Sequence, residues 1–387
     1  MGVQAAYRGA SITGVGFTEF SKASGRSVLS LAAEACREAI LDAGLEPSDI
    51  DGVVTYQYLH DSVPAQAVAA VLGLGDLRHI LDSGLAGQAP CYLAAHAATM
   101  ISTGVARNIV VYRALNGRSG QRVGSARAPG DAADLRHDAG LIAYPQTIAL
   151  WARRYMIETG ATEADLAAVA IAQREWAARN DRAFRRSPLS IDEHHSSPMV
   201  ADPLRAVDCT TEVDGACAIV LTSDERAADS PHPAVGIRSA AYVLGRGGGL
   251  DMADSSSWPD LSRNHTSLLA DRLWADAGLG PDDMDFAQIY DCFSSVVLFG
   301  LEGLGFAGRG EAGEFVRAGH TAPGGRIPVN TNGGLLNEGY LHGMNTLAEA
   351  VLQLQGRGGD RQVPDAETGV VTSGALQDGS ALVLVRR

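Results

Sequence analysis

Asp42-Ala-Gly-Leu-Glu-Pro-Ser-Asp-Ile-Asp51 recurs later in the chain as Asp276-Ala-Gly-Leu-Gly-Pro-Asp-Asp-Met-Asp285, with seven of the ten positions identical. Each copy follows a run with the apolar spacing of an amphipathic helix, and a glycine and then a proline mark where that helix stops. Each copy leads into a short apolar strand, Gly52 to Tyr56 in the first and Phe286 to Tyr290 in the second. Asp-Ala-Gly-Leu is a common phrase at helix ends, but ten aligned positions in the same helix–turn–strand context indicate an internal duplication.

The duplication predicts two similar α/β halves, residues 1–228 and 229–387. The first half begins with the apolar strand Ser11 to Phe17 and ends with Ala216 to Thr222, a continuous apolar run typical of a buried strand. The second half ends with the strand Ala381 to Val385.

The region of residues 116–145 interrupts the first half. Its first part, residues 116–138, is rich in Gly, Arg, Ser and Asp. This composition predicts either a long loop over the functional site or a disordered surface loop.

The composition excludes several classes of protein. Hydrophobic residues make up 46% and charged residues 20% of 387 positions, which is typical of a folded soluble protein. Lys and Arg number 31 against 45 Asp and Glu, and a net charge of −14 argues against nucleic acid as a partner. No apolar run is long enough for a membrane span. The five cysteines lack Cys-x-x-Cys or zinc-site spacing, so we expect reduced thiols, a cytoplasmic protein and no metal site.

The stretch Asn330-Thr-Asn-Gly-Gly-Leu-Leu-Asn-Glu-Gly-Tyr-Leu-His-Gly343 resembles the late active-site motif of the thiolase superfamily, Asn-x-x-Gly-Gly, four residues, then Gly-His-Pro-x-Gly. The positions that match are Asn330, Gly333, Gly334, Gly339 and Gly343, while Tyr340 replaces the histidine. Upstream, Ile289-Tyr-Asp-Cys-Phe resembles the His-Asp-Cys-Phe motif of the sterol-carrier-protein-type thiolases, and Tyr290 again replaces the histidine. The resemblance covers essentially the whole chain. It implies a thiolase-like fold, with layered sheets of two similar α/β halves packed around shared buried helices.

Thiolases also use two cysteines, and the resemblance implies that both are missing here. Counting along the chain places Gly87 at the nucleophile position and Ser373 at the second cysteine. Cys91, one helical turn after Gly87, stays an alternative nucleophile if the alignment is shifted. In this family the backbone N–H groups that hold the thioester oxygen would be those of Gly87 and Ala375, and two such donors at a helix start suit an enolate oxygen.

A thiolase-like site with two tyrosines and no nucleophile resembles the steroid side-chain aldolases of the lipid-transfer-protein group. These enzymes cleave a β-hydroxyacyl-CoA by a retro-aldol reaction to a ketosteroid and a short acyl-CoA such as propionyl-CoA. The reaction needs a base, an acid and an enolate hole, and we expect Tyr290 and Tyr340 to share the base and acid roles. Because a phenol has a pKa of ~10, we expect a neighbouring charge or hydrogen bond to lower it. Asp291 and His342 are the candidates for that role.

Less reactive interpretations of the same residues remain open. Tyrosines after strands often serve in packing or form a hydrogen-bonded rim. His342 is either a ligand contact or a residue at a helix start, Asn330 is more typical of a turn, and Asn345 is a candidate cap for the following helix.

The resemblance also implies partners. The substrate carries CoA, so no separate cofactor is expected, and the basic residues Arg182, Arg185 and Arg186 either bind the CoA phosphates or lie on a solvated loop. Thiolases form homodimers, and the aldolase relatives work with a small partner that has an OB-fold and a zinc ribbon. Two rival functions remain: a thiolase or acetyl-CoA acyltransferase with a cysteine nucleophile, and a non-catalytic lipid carrier or scaffold subunit.

Overall fold

A computed structural model describes residues 7, 9–120, 122, 131–245 and 258–387. The strands within these ranges are β1 (Ala10–Phe17), β2 (Gly52–Tyr56), β3 (His79–Ser83), β4 (Asn108–Asn116), β5 (Met199–Ala201), β6 (Leu204–Arg205), β7 (Asp214–Ser223), β8 (Val235–Leu244), β9 (Phe286–Gln288), β10 (Thr368–Ser373) and β11 (Asp378–Arg386). The helices are α1 (Val28–Asp42), α2 (Ala65–Leu72), α3 (Ala89–Ser102), α4 (Asp131–Asp138), α5 (Tyr144–Thr159), α6 (Glu163–Ala177), α7 (Ile191–Ser196), α8 (Asp224–Ala227), α9 (Thr266–Ala277), α10 (Ser294–Gly303), α11 (Ala312–Arg317), α12 (Gly334–Asn337) and α13 (Met344–Leu354).

The repeated phrase has the same structure in both places. The first copy follows α1, forms a single 3-10 turn at Pro47–Asp49 and enters β2. The second follows α9, forms a 3-10 turn at Pro281–Asp283 and enters β9. The predicted helix–turn–strand repeat is therefore confirmed.

The large sheet repeats the same topology. Its order is β3-β2-β4-β7-β1-β8-β11-β10-β9, and β1, β7, β4 and β2 have the same neighbours and directions as β8, β11, β10 and β9. A parallel bridge from Ala287 to Val329 takes the place of β3 in the second half. The sheets of the two halves are not separate: β1 and β8 pair through Ser11–Gly236 and Ile12–Val235, so nine strands form one sheet. The division between residues 228 and 229 falls between α8 and β8, and its status as a domain boundary stays a prediction.

Two helices, α3 and α13, lie in the centre of the molecule. Every residue of α13 is buried, and nine residues of α3 are buried. Both helices contribute to one apolar core together with strands of both halves. Their N-terminal ends are therefore held by packing from both halves.

The region of residues 116–145 differs from the predicted loop. Residues 131–138 form α4, because Ala, Leu and Arg favour a helix and Arg136 and His137 lie in its last turn, where positive charge is favourable. Residues 121 and 123–130 lie outside the described residues. Among the helices that the structure describes, none is long and apolar enough to cross a membrane.

Candidate active site

The phenols of Tyr290 and Tyr340 meet in a buried cavity. Their oxygens are 2.9 Å apart, within hydrogen-bond distance, and the rings pack edge to face. The side chains are only 2% and 7% exposed. Tyr290 directly follows Ile289, whose backbone N–H and carbonyl bind the side chain of Asn330 at 2.8 and 2.9 Å. Asn330 therefore fixes the end of this chain segment and with it the position of Tyr290.

Gly87 lies against the Tyr290 phenol. A Cβ atom added at Gly87 would be 2.0 Å from the Tyr290 oxygen, so any side chain at the nucleophile position would occupy the space of that phenol. Gly87 and Tyr290 are thus sterically linked, because the tyrosine fits only if residue 87 has no side chain. The Tyr290 phenol approaches Gly87 from the opposite half of the chain. That Gly87 stands at the position of the thiolase nucleophile stays a prediction.

The cavity opens at the N-terminal ends of both central helices. Gln88 caps the start of α3 and Gly343 caps the start of α13, and Gly87, Gln88 and His342 line the cavity. Helix N-termini carry a partial positive charge and free N–H groups, which favour a developing oxyanion. Ala375 also lines the cavity, so the two predicted oxyanion donors lie in the same site; their role stays a prediction.

The reacting space is small. The cavity has a volume of ≈ 40 Å³ and is lined by Tyr58, Ala86, Gly87, Gln88, Tyr144, Tyr290, Cys292, Tyr340, His342, Gly374, Ala375 and Asp378. This volume holds only a few non-hydrogen atoms. The bulk of any large substrate must therefore lie outside it.

The expectation of a lowered phenol pKa is wrong. Burial raises the pKa of both Tyr290 and Tyr340 well above 10. The hydrogen bond between them and the Arg113 guanidinium act in the opposite direction on Tyr340, but burial outweighs them. Both phenols are therefore neutral in the free protein.

His342 is held by a buried charged pair that neither tyrosine motif contains. Its Nδ1 lies 2.7 Å from Arg113 Nη2 and 3.1 Å from Arg113 Nε, and the same guanidinium binds Asp61 at 2.5 Å. Burial, and then Arg113, lower the pKa of His342 to about 3. Tyr56 donates to the backbone carbonyl of His342 at 3.1 Å, so backbone and ring are both fixed.

Asp291 does not face either phenol. Its carboxylate accepts the backbone N–H groups of Leu335 and Leu336, at 2.8 and 3.2 Å, near the start of α12, and it does not line the cavity. A Cβ at Gly334 would lie 2.0 Å from this carboxylate, so the motif glycine makes room for it. Asp291 therefore stabilises the motif loop, which corrects the expectation that it tunes a tyrosine.

The remaining motif residues are also structural. Gly333, Gly334, Gly339 and Gly343 all have φ between +66° and +153°, a backbone region that side chains disfavour, which explains their glycines. Asn345 does not cap α13, because Gly343 occupies the cap; its side chain instead donates to Glu338 at 2.8 Å. The motif is thus a folded loop that holds Tyr340 and His342.

The alternative nucleophile, Cys91, lies inside α3 rather than in the cavity. It is fully buried, the Ser373 hydroxyl donates to its sulfur at 3.1 Å, and burial raises its pKa to about 12. Ser373 is buried with it and does not line the cavity. The thiol in the cavity is Cys292, and burial raises its pKa too. Neither thiol has the low pKa of a reactive cysteine.

The three predicted arginines do not form one cluster. Arg182 is held by Glu338 and Glu349 at 3.1 and 3.3 Å, and Arg186 pairs with Asp181 at 2.7 Å. Only Arg185 of the three lines a groove next to the cavity.

This groove has a volume of ≈ 430 Å³ and is lined mainly by apolar surface. It shares Tyr144, Cys292 and Tyr340 with the cavity, and Arg122 and Arg185 also line it. Its volume falls in the range of drug-sized ligand pockets, ~300–1,000 Å³.

Several site residues were not predicted from the sequence. Tyr58, Tyr144 and Asp378 line the cavity, and burial raises the pKa of Asp378 to about 6. Asp378 lies only five residues after Ser373, the predicted second-cysteine position, and this closeness in sequence could have identified it as a candidate site residue. Arg113 stands in the apolar strand β4, and a charged residue in a buried strand indicates a paired or functional group. Among the described residues, no group of three or more His, Cys, Asp and Glu side chains is arranged to hold a metal ion.

The chain is similar to known proteins in both sequence and structure. Residues 247–386 match the family "Thiolase C-terminal domain-like". The chain is 42% identical to the 17-hydroxy-3-oxo-4-pregnene-20-carboxyl-CoA lyase of Mycobacterium tuberculosis, over 95% of this chain and 98% of that protein. The chain belongs to the thiolase superfamily, among the steroid side-chain-cleaving aldolases.

Further similarities support the same placement in the aldolase group. The steroid side-chain-cleaving aldolase of Thermomonospora curvata is 41% identical, over 97% of both chains. The solved structure of the Ltp2-ChsH2(DUF35) aldolase superposes with a TM-score of 0.91 at 40% identity, over 98% of this chain and 99% of that chain. The predicted thiolase-like fold is therefore confirmed.

Proposed function

We propose that the protein is an aldolase that cleaves a steroid β-hydroxyacyl-CoA into a 17-ketosteroid and propionyl-CoA. The observation that carries the proposal is the pair of phenol oxygens of Tyr290 and Tyr340, 2.9 Å apart, next to Gly87, the glycine expected at the nucleophile position. The name of the lyase relative describes a 17-hydroxyl and a 20-carboxyl thioester, in which the hydroxyl is β to the thioester carbonyl. Such a substrate is activated for retro-aldol cleavage.

The phenol pair fits a proton relay better than a preformed phenolate. In a retro-aldol cleavage the bond between the α- and β-carbons breaks, the β-oxygen loses its proton and becomes a ketone, and the α-carbon gains a proton. Tyr340 accepts the β-hydroxyl proton while passing its own to Tyr290, and Tyr290 passes its proton to the α-carbon. Each phenol is neutral before and after, which suits their raised pKa values.

The direction of the relay follows from Gly87. The Tyr290 oxygen occupies the space of a side chain at the nucleophile position, next to the backbone donors expected to hold the thioester oxygen. It is thus the phenol closer to the α-carbon. The N–H groups of Gly87 and Ala375, and the N-terminal ends of α3 and α13, stabilise the enolate oxygen. No cofactor besides the CoA of the substrate enters this scheme.

The apolar groove next to the cavity suits the steroid nucleus. The cavity has room only for the reacting carbons, and the groove reaches Tyr340, where the β-carbon must lie. Val200 lines the groove and is 49% exposed. We expect Val200→Trp to raise KM for a steroid substrate while KM for a short β-hydroxyacyl-CoA stays the same.

The decisive experiment supplies a 17-hydroxy steroid 20-carboxyl-CoA thioester and follows both products. Formation of the 17-ketosteroid and propionyl-CoA in equal amounts supports the aldolase. A thiol-acylated protein mass after incubation with acyl-CoA would support the thiolase alternative instead. Absence of turnover, with Tyr290→Phe and Tyr340→Phe equally able to bind lipid, would favour a carrier or scaffold subunit.

A homodimer is the proposed assembly. Among the strands that the structure describes, β3 ends the large sheet with one unpaired edge, and its residue Ile80 is 46% exposed. An exposed edge strand is a template for pairing with a second chain. Light scattering should give a dimer that Ile80→Lys weakens; a wild-type monomer would contradict this.

We also propose a partner protein and a cytoplasmic location. The similar solved structure is named for two components, Ltp2 and ChsH2. Helix α5 presents Leu150 and Ile157, 56% and 70% exposed, on one face, seven residues apart. Co-purification of a small OB-fold and zinc-ribbon protein should be lost in the double variant Leu150→Glu with Ile157→Glu. It should be kept in Leu41→Glu, a change on a different helix, α1, at a residue that is 43% exposed.

A further inference from the structure

We infer that Arg113 is a positioning residue that fixes His342 as a neutral imidazole with its proton on Nε2, so that His342 is a hydrogen-bond donor to the substrate. The inference rests on the proposed aldolase function for the identity of that substrate. It adds a role for two residues, Arg113 and Asp61, that lie outside both tyrosine motifs.

The contacts determine the tautomer. A guanidinium has only N–H donors, so the His342 Nδ1 at 2.7 Å from Nη2 and 3.1 Å from Nε must be an acceptor without a proton. A neutral imidazole that accepts at Nδ1 carries its proton at Nε2. His342 lines the cavity, so the nitrogen left for the cavity is the protonated one.

Arg113 itself is held in place by its surroundings. Its side chain is fully buried, and Nη2 binds the Asp61 carboxylate at 2.5 Å while Nη1 donates to the Ala114 carbonyl at 3.2 Å. The ion pair neutralises the charge, as a buried guanidinium requires. Asp61 in turn accepts the backbone N–H of Tyr58 at 2.8 Å, and Tyr58 lines the cavity.

The donor is close to the reacting atoms. The rings of His342 and Tyr340 are 4.6 Å apart and pack edge to face. His342 therefore lies beside the phenol that accepts the β-hydroxyl proton in the proposed relay. Its Nε2–H is suited to bind the β-oxygen that becomes the ketone.

The test combines a direct observation of the tautomer with kinetics. Nitrogen-15 NMR of the labelled imidazole should show His342 with Nδ1 unprotonated and Nε2 protonated from about pH 5.5 to about pH 8.5. An ordinary histidine, with a pKa of ~6.5, would titrate within this range. The groups facing this ring are Arg113, Asp61, Tyr340 and Tyr56, of which Arg113 and Asp61 are charged. A protonated Nδ1, or a His342 that titrates in this range, would overturn the inference whatever reaction the protein catalyses.

The matched variants separate positioning from folding. His342→Gln places an N–H donor near the Nε2 position and should keep most of kcat, whereas His342→Asn places it near Nδ1 and should lose up to ~10²–10³-fold, as when one oxyanion donor is removed. Asn also tolerates the left-handed backbone at this position, φ 50°, so its loss is not a backbone effect.

A last variant tests the role of Arg113 directly. Asp61→Asn with Arg113→Met removes both buried charges together and so leaves neither unpaired. It should lower kcat at least about 10-fold with a smaller change in KM, and it should shift His342 to a mixture of tautomers. In the His342→Gln background the same double change should lower kcat only slightly, because glutamine has no tautomer for Arg113 to fix. An equal loss in both backgrounds would assign Arg113 to folding alone, and unchanged kcat in the wild-type background would also contradict the inference.

Discussion

Gly87→Ala is the sharpest test of the idea that a phenol has replaced the thiolase nucleophile. The added Cβ would be 2.0 Å from the Tyr290 oxygen, 2.5 Å from Cζ and 3.0 Å from Cε2. Real Cβ contacts do not fall below 3.0 Å, so the phenol oxygen must move by about 1 Å or more in a close-packed site. The hydrogen bond to Tyr340 is 2.9 Å and does not survive a shift of that size away from its partner.

The expected losses follow from that displacement. Breaking the relay should lower kcat by roughly 10²–10⁴-fold, the usual range for general acid–base catalysis. Forcing a methyl group into a packed site should also lower the free energy of unfolding by about 1–3 kcal/mol. Propionyl-CoA release and urea unfolding measure the two effects.

The chain offers a matched control. Gly84→Ala is three residues away, and a Cβ there meets no atom of the described residues within 4 Å. It should leave both kcat and stability unchanged. In a Tyr290→Ala background, the stability cost of Gly87→Ala should nearly vanish, because the clashing ring is gone. A Gly87→Ala protein with wild-type turnover would refute the steric argument.

Three further predictions concern the tyrosine pair, Cys91 and Asp378. Tyr290→Phe and Tyr340→Phe should each lose roughly 10²–10⁴-fold in kcat with CoA-ester binding nearly intact, measured by turnover and calorimetry, and full activity of either would exclude the relay. Cys91→Ala should retain turnover, because no thioester intermediate is needed; an inactive but folded Cys91→Ala would restore the thiolase interpretation. Asp378 has its pKa raised from 3.8 to about 6, so its ionised form destabilises the fold: this destabilisation is absent below pH ~4, grows as the pH rises through ~6 and is complete above it. Asp378→Asn should therefore raise the free energy of unfolding by about 1–3 kcal/mol at pH 8 and by nearly nothing at pH 4, and an equal gain at both pH values would contradict the assignment.

Sequence motifs were sufficient to predict those parts of the site whose residues lie within a motif. Tyr290 and Tyr340 were paired from two motifs fifty residues apart, and the structure places their oxygens in contact. The repeat predicted the helix–turn–strand units because glycine and proline end a helix for local reasons. Long-range pairing, such as the contact of β1 with β8, has no local signal and was not predicted.

Side-chain direction was partly predictable. Successive residues of an extended chain point to opposite sides, so if Tyr290 faces the cavity, Asp291 faces away from it. Asp291 was a candidate to lower the pKa of a phenol, but its carboxylate instead binds backbone N–H groups near the start of α12. The raised pKa of the phenols could not be predicted, since it depends on burial by both halves. The contact of Arg113 with His342 joins residues 229 positions apart and was equally out of reach.

The duplicated strand end has a consequence for how this site arose. Tyr56 follows Asp42 at the same distance as Tyr290 follows Asp276, so the two tyrosines are copies of one ancestral position. One copy now donates to the backbone of His342, and the other donates to or accepts from Tyr340. The two descendants of a single residue therefore contact neighbouring segments of the same loop from opposite halves. Because Tyr56 and Tyr290 bind different parts of this loop, a change at either tyrosine should disturb the loop at a different place.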